Sequence, residues 1–384
     1  MNNTEKQLIE LIKESQFGNG ILSFSDWDFG AVMKEAKAQA VLGVVAPVIP
    51  KGYVSDSKVV DRIIAQQKAQ YIRYLHKEDQ LKRLLDENDI PFVILKGNAA
   101  AMYYREPSYR KMGDIDFLIN VENFARTKEV MLNSGYELKH DADTEDYRHI
   151  AFAKEKISFE LHRKFSHEVD IEEYVLNGLA RREIKVIEGY EFPVLPNLAN
   201  GLVLLDHMRN HLKTGLGLRQ VIDWMMYVNA ELNDEFWNAE FGPVAREKGF
   251  EMIATVTTKM CRKYLGLSER ITWCESADEE LCDSLMESLL EYGNFGRKKG
   301  KGNNIETVST AFKSEGFFRR LQRAGEYNWK ACKKHHWLKP FAWIYQAFRY
   351  AGRGVKTKRN RKQLKEDMQR GKERYELLKK LEIF

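Results

Sequence analysis

Residues 91–120 read PFVILKGNAAAMYYREPSYRKMGDIDFLIN, and the rest of the chain is interpreted around them. The apolar run Phe92-Val93-Ile94-Leu95 has the length and composition of a short buried strand. Lys96-Gly97-Asn98 marks a turn, and the alanine-rich residues 99–104 suit a helix. A polar loop with Pro107 and Arg110 leads to Gly113-Asp114-Ile115-Asp116-Phe117-Leu118-Ile119, which reads as a second strand. Residues two apart on a strand share a face, so Asp114 and Asp116 point one way while Ile115 and Phe117 point into a core. Two neighbouring carboxylates repel each other. A hard divalent cation such as Mg²⁺ relieves that repulsion, because it prefers carboxylate oxygens.

Leu95-Lys96-Gly97, Tyr104, Pro107, Arg110 and Gly113-Asp114-Ile115-Asp116 stand in an order that resembles the nucleotidyltransferase superfamily, with its polymerase-beta-like fold. In detail the stretch is similar to an uncharacterised bacterial branch with a Leu-Lys-Gly motif, a Tyr…Pro…Arg loop and Gly-Asp-Ile-Asp. The resemblance implies an α+β fold, a small mixed β-sheet core flanked by N-terminal and C-terminal helical regions. It also implies a third carboxylate on a later strand between hydrophobic neighbours. Glu160, between Phe159 and Leu161, fits that place; the alternative is a solvated strand face. On the same strand Ser158, Glu160 and His162 share one face. The chain departs from the superfamily pattern at Gly97-Asn98, where Gly-Ser is usual, and in its longer gap to Asp114.

The implied chemistry uses two Mg²⁺ or Mn²⁺ ions held by Asp114, Asp116 and Glu160, with an NTP as substrate. Two ions about 4 Å apart clamp the attacking and leaving oxygens of such a transfer. Gly97 lets backbone approach the phosphates, Asn98 follows it at the helix start, and Lys96 and Arg110 are candidates to neutralise phosphate charge. For Lys96 the alternative is ordinary surface charge. His162 either meets the acceptor or hydrogen-bonds Glu160.

Before this stretch, residues 1–88 read as helical. Ser25 is placed to cap a helix reaching residue 40, and an apolar stripe runs through residues 57–87. After it, a helix to residue 133, strand pieces at 136–138, 150–152 and 157–162, another helix, and an edge strand at 183–187 complete the core. Pro193 and Pro196 mark the exit. His207 and His211, at i,i+4 on the next helix, have a zinc-compatible spacing but lack a third ligand, so they are expected to line the cleft opposite the sheet. Arg219 and Asp223 lie one turn apart on the following helix, with Arg219 either reaching a phosphate, oriented by Asp223, or forming a helix-surface or interhelix ion pair. The expected units are 1–88, helical; 89–195, catalytic; 196–304, helical and lining the cleft; and 305–384, basic and aromatic.

Composition bounds the rest. With 384 residues, 30% charged and 43% hydrophobic, the chain has room for several cores and an ordinary soluble balance. A net charge of +5 admits an anionic substrate without requiring nucleic acid. Neither a secretory pattern nor a membrane-length apolar run is present, and the four cysteines have no Cys-x-x-Cys spacing. A cytoplasmic protein with reduced thiols is expected. Residues 293–304 (GNFGRKKGKGNN) form a basic loop, and residues 353–384 carry twelve Lys/Arg against five Asp/Glu. Such a tail binds nucleic acid or a membrane surface, or packs as a solvated helix.

The reading is therefore a metal-dependent nucleotidyltransferase that moves an NMP group from an NTP to a hydroxyl-bearing acceptor, releasing pyrophosphate. A small-molecule acceptor is favoured. A toxin-like or regulatory enzyme acting on tRNA or protein, and a degenerate nucleotide-binding protein without catalysis, remain as alternatives.

Overall fold

Seven strands build one mixed sheet: β1 (Phe92–Leu95), β2 (Ile115–Ile119), β3 (Glu137–His140), β4 (His149–Lys154), β5 (Ile157–His162), β6 (Glu183–Ile187) and β7 (Tyr190–Val194). Their spatial order is β3-β4-β5-β2-β1-β7-β6, with β2 parallel to β5, β1 parallel to β7 and the other neighbours antiparallel. Helices precede and follow the sheet in sequence and cover both faces, so the fold is α+β. The computed structural model describes residues 1–18, 22–140, 148–166, 169–213, 215–294, 298, 316–356 and 361–383.

The two-residue alternation of the strands divides the interior. Ile115, Phe117, Ile119, Phe159 and Leu161 pack with Tyr74, Leu75, Leu81 and Leu85 of the long helix Ser57–Asp86. Val93, Leu95 and Leu118 join the other core, with the N-terminal helices and the helices Asn197–Leu212 and Leu218–Glu231. Burying each such aliphatic side chain stabilises the fold by about 1.5–3 kcal/mol. Asp116, Glu160 and His162 are out of phase with the first set. They therefore face the second layer of helices, and the polar cleft opens there.

Several boundaries differ from the sequence expectation for local reasons. The second helix, Phe29–Ala38, is capped by Asp28, whose carboxylate accepts from the Ala31 N–H at 2.9 Å, and not by Ser25. Asp26, at φ +50°, bends the chain between those two residues. β7 was not expected because Pro193 demotes a strand. It forms nonetheless, turning from β6 through Glu188 and Gly189, both at positive φ, as a tight hairpin requires. Its Val194 pairs with Ile94, so the expected exit at Pro193 lies inside the sheet.

The four cysteines are buried free thiols, and among the described residues no helix is long and apolar enough to cross a membrane. Of the basic loop 293–304, only Gly293, Asn294 and Lys298 are described; the rest lies outside the described residues. Lys298 pairs with Glu35 at 2.9 Å. The tail separates into two parts. Leu377, Leu378, Leu381 and Ile383 are buried in the main core, and Arg374 donates to the Leu212 carbonyl at 2.6 Å. The preceding helices Phe317–Asn328 and Ala342–Lys356 pack on each other.

Candidate active site

The turn after β1 is strained. Lys96 has φ +52° and ψ −123°, a region that side chains rarely occupy, and Gly97 follows at φ +28°. The Lys96 amine is thereby brought to 2.7 Å from Asp116 Oδ1. The helix that follows, Gly97–Ala101, has only five residues.

Strand register assembles the acidic face. Asp116 on β2 lies directly opposite Glu160 on β5, and Asp114 immediately precedes β2. His162 is two residues beyond Glu160, and His149 on β4 lies directly opposite His162. His162 Nε2 is 3.0 Å from Asp116 Oδ1 and 3.5 Å from Glu160 Oε2, while His149 Nε2 is 3.9 Å from the same Glu160 oxygen. One ligand atom each from His149, Glu160 and His162 falls within 4.8 Å of the others, close enough to share a cation.

The carboxylates differ in character. Burial opposes ionisation of Asp116, but Lys96 and His162 outweigh it and hold the carboxyl well below the usual range. Asp114 is solvent-facing; partial burial, then repulsion from Glu160 and Asp116, raises its pKa. Burial lowers the His162 pKa, and its bonds to Asp116 and Glu160 reverse that, so it is raised overall. His149 is lowered, by burial and then by His162. Three carboxylates thus converge on one face of the cleft, an arrangement that suits a divalent cation.

The facing wall comes from two helices. His207 and His211 place their Nε2 atoms 2.9 Å apart, so one donates and the other accepts. Burial lowers both, His207 well below its usual value and His211 to about 4, and each is neutral at pH 7. Arg219 donates Nη1 to the Lys111 carbonyl at 3.2 Å and has its pKa lowered by burial. These groups, with Lys96, Gly97 and the acidic face, line one cleft of about 410 Å³. Volumes of this order are typical of small-molecule sites.

Three expected contacts are different. The Asn98 side chain is fully buried under the turn, where Nδ2 donates to Glu78 Oε2 at 2.6 Å; it does not reach the cleft. Arg110 is buried and committed to Asp223, Nε to Oδ1 at 2.7 Å and Nη2 to Oδ2 at 2.8 Å. It touches the cleft floor but spends its fork on that carboxylate. Asp223 consequently anchors the Pro107–Arg110 loop, with Tyr104 donating to it at 2.7 Å, instead of orienting Arg219.

Two contributors were not anticipated from the sequence. The expected strand starts at residue 150, one short of His149, although Ile150 and Phe152 on the buried phase put His149 on the polar one. Glu78 sits at the helical spacing of Tyr74, Leu81 and Leu85, a charged residue on a buried stripe. Burial pushes its carboxyl up to about 8, against Asn98 and Arg110, which pull it down.

No curated protein matches the chain. Among solved structures, the antibiotic-resistance factor ANT(2'')-Ia is similar at 13% identity and TM-score 0.32, over 51% of this chain and 93% of that one. An antigenic nucleotidyltransferase-like protein from Paracoccidioides brasiliensis is similar at 13% identity and TM-score 0.32, over 52% and 94%. The profile of the family described as uncharacterised nucleotidyltransferase spans residues 25–266, from the second helix past Arg219 and Asp223, and the chain belongs to that family.

Proposed function

We propose that the chain moves an NMP group from an NTP to a hydroxyl-bearing acceptor, in a metal-dependent reaction that releases pyrophosphate. Family membership supports nucleotidyl transfer in general. The observation that carries the finer reading is the register pairing of Asp116 with Glu160, with Asp114 beside them in the same cleft. In this reading Asp114, Asp116 and Glu160 hold divalent cations, Mg²⁺ or Mn²⁺. Such an ion neutralises triphosphate charge and makes a bound hydroxyl more acidic.

The protein's own groups take the remaining roles. Arg219, whose Nη1 meets the Lys111 backbone carbonyl, is the arginine assigned to a phosphate in this reading. Lys96 holds Asp116 ionised and lies within reach of anionic oxygens entering the cleft. In this reading Glu160, part-exposed in the cleft, takes the acceptor's proton, and His162, 3.5 Å from it, orients it. Gly97 supplies backbone at the floor. The neutral pair His207 and His211 faces the acids and offers hydrogen bonds without adding charge. The cleft is of a size for small ligands, and in this reading the acceptor is a small molecule.

The test is incubation of the purified protein with each α-labelled NTP, Mg²⁺ or Mn²⁺, and a fractionated cell extract. Label transferred to a small molecule, together with released pyrophosphate, is the expected result. Nucleotide that binds but never transfers under any metal would overturn the enzymatic reading. Label in RNA or protein would move the acceptor class.

A further inference from the structure

We propose that the helical hairpin of residues 316–356 docks the protein peripherally onto an anionic lipid surface. This segment holds ten Lys/Arg against one Asp/Glu, nine net positive charges where the entire chain has five. The remainder of the protein is therefore net acidic, even with the basic residues of the last helix included. Packing against neighbouring helices would be the simple explanation for aromatic residues in this region, but the exposure of six of them argues otherwise. Phe318, Tyr327, Trp337, Phe341, Trp343 and Phe348 are between 38% and 75% exposed. Every large exposed aromatic among the described residues falls in this segment, whereas the other exposed large hydrophobics are aliphatic or Met and scattered over residues 1–186.

The arrangement has the chemistry of an interfacial anchor. The helices Phe317–Asn328 and Ala342–Lys356 pack against each other, with Leu321, Ala342 and Gln346 buried between or beside them. Trp337 and Phe341 sit on the 3-10 segment His336–Phe341 of the connection between them. Phe318 and Trp343 meet edge to face at 5.9 Å, one from each helix. Tryptophan and phenylalanine amid lysine and arginine is the pattern that buries rings at the headgroup boundary while cations meet anionic lipid. Single-stranded nucleic acid also stacks on aromatics, but it is bound along a charged groove. Here the rings project from helices and a turn. With no described helix able to span a bilayer, attachment by this hairpin is to the surface.

The experiment uses the full chain and vesicles of phosphatidylcholine alone or mixed with phosphatidylglycerol, read by flotation. The expected result is recovery with anionic vesicles, little with neutral ones, and weakening as salt rises. The triple variant Trp337→Ser, Phe341→Ser, Phe348→Ser should lose about tenfold in partitioning while its melting temperature and nucleotide binding are unchanged. Equal recovery on neutral vesicles, no recovery on either, or a variant that folds and still floats fully would overturn the proposal. So would binding of a single-stranded RNA oligonucleotide that needs the same rings and excludes the vesicles.

Discussion

The cleft face of the sheet and the C-terminal hairpin are both rich in charge, and they use it in opposite ways. In the cleft, Lys96, Asp116, His162 and Glu160 alternate basic with acidic groups and lie within 2.7–3.5 Å of a neighbour. In the hairpin, one sign dominates and the rings beside it stay exposed. Close alternation is sensitive to ångström shifts, since each group's ionisation depends on its partner. A field of one sign tolerates movement and acts at the Debye length, about 8–10 Å. The first arrangement suits chemistry on a small ligand, the second suits adhesion to a broad anionic surface.

The largest expected effect breaks the cleft's alternation. Asp116→Asn should lower transfer by orders of magnitude and abolish the melting shift given by Mg²⁺ with NTP. It should also destabilise the protein by about 2–3 kcal/mol in chelator, because it deprives Lys96 and His162 of a buried anion. The sign follows from the depressed carboxyl. Its contribution is present above the ordinary aspartate value of 3.8 and is lost as the pH falls below that value. Thermal melting from pH 7 to pH 3 reads this. An Asn variant that keeps both the ligand shift and the activity would remove Asp116 from the site.

How much of this was legible in the sequence depends on the range of the interaction. The apolar run gave β1, and period-two alternation grouped Asp114 with Asp116 on β2 and Glu160 with His162 on β5, because a strand's phase is local; that Glu160 joins the aspartates was implied by the resemblance. The pairing of Arg110 with Asp223 spans 113 residues and needs two elements to meet, so a helix-local partner, Arg219, looked equally good. Asn98 looked like a phosphate contact because it follows the glycine. It is buried because Glu78, twenty residues earlier, waits beneath the turn. β7 was hidden by its own proline.

Glu78 yields the next effect, in stability. Its carboxyl is raised from an ordinary 4.5 to about 8, chiefly by burial. Below 4.5 folded and unfolded chains both hold the proton; between 4.5 and 8 only the folded chain does. Stability from this group therefore falls as pH rises through that window, by at most about 1.4 kcal/mol per unit. Glu78→Gln keeps a carbonyl for the Asn98 amide and has no proton to lose. It should match the parent near pH 4.5 and melt higher at pH 8. A variant that melts below the parent at pH 8 would mean that Glu78 is ionised in the fold.

A smaller effect tests the facing wall. Arg219→Ala should raise the KM for NTP or lower kcat/KM about tenfold, the scale of one charge-assisted contact. Its stability cost should stay below about 3 kcal/mol, the upper range for one bond from a charged group to a backbone carbonyl. Unchanged kinetics with a large drop in melting temperature would make Arg219 a brace for the residues 111–113 loop.

The smallest expected effect separates the two regions. The triple variant Trp337→Ser, Phe341→Ser, Phe348→Ser alters exposed rings, none of which lines the cleft. With a soluble acceptor in detergent-free buffer, its kcat and KM should equal the parent's within error. The converse change, deletion of residues 361–384, is not a neutral control. It would strip Leu377, Leu378, Leu381 and Ile383 from the main core and remove Arg374 from the Leu212 carbonyl at the end of the histidine helix. That helix carries His207 and His211 into the cleft, so the truncation should lower both stability and nucleotide affinity. If the ring variant loses solution activity as well, the hairpin closes over the cleft and the division between chemistry and adhesion fails. If only the truncation does, the last helix belongs with the catalytic body, and the hairpin before it is free to serve the surface.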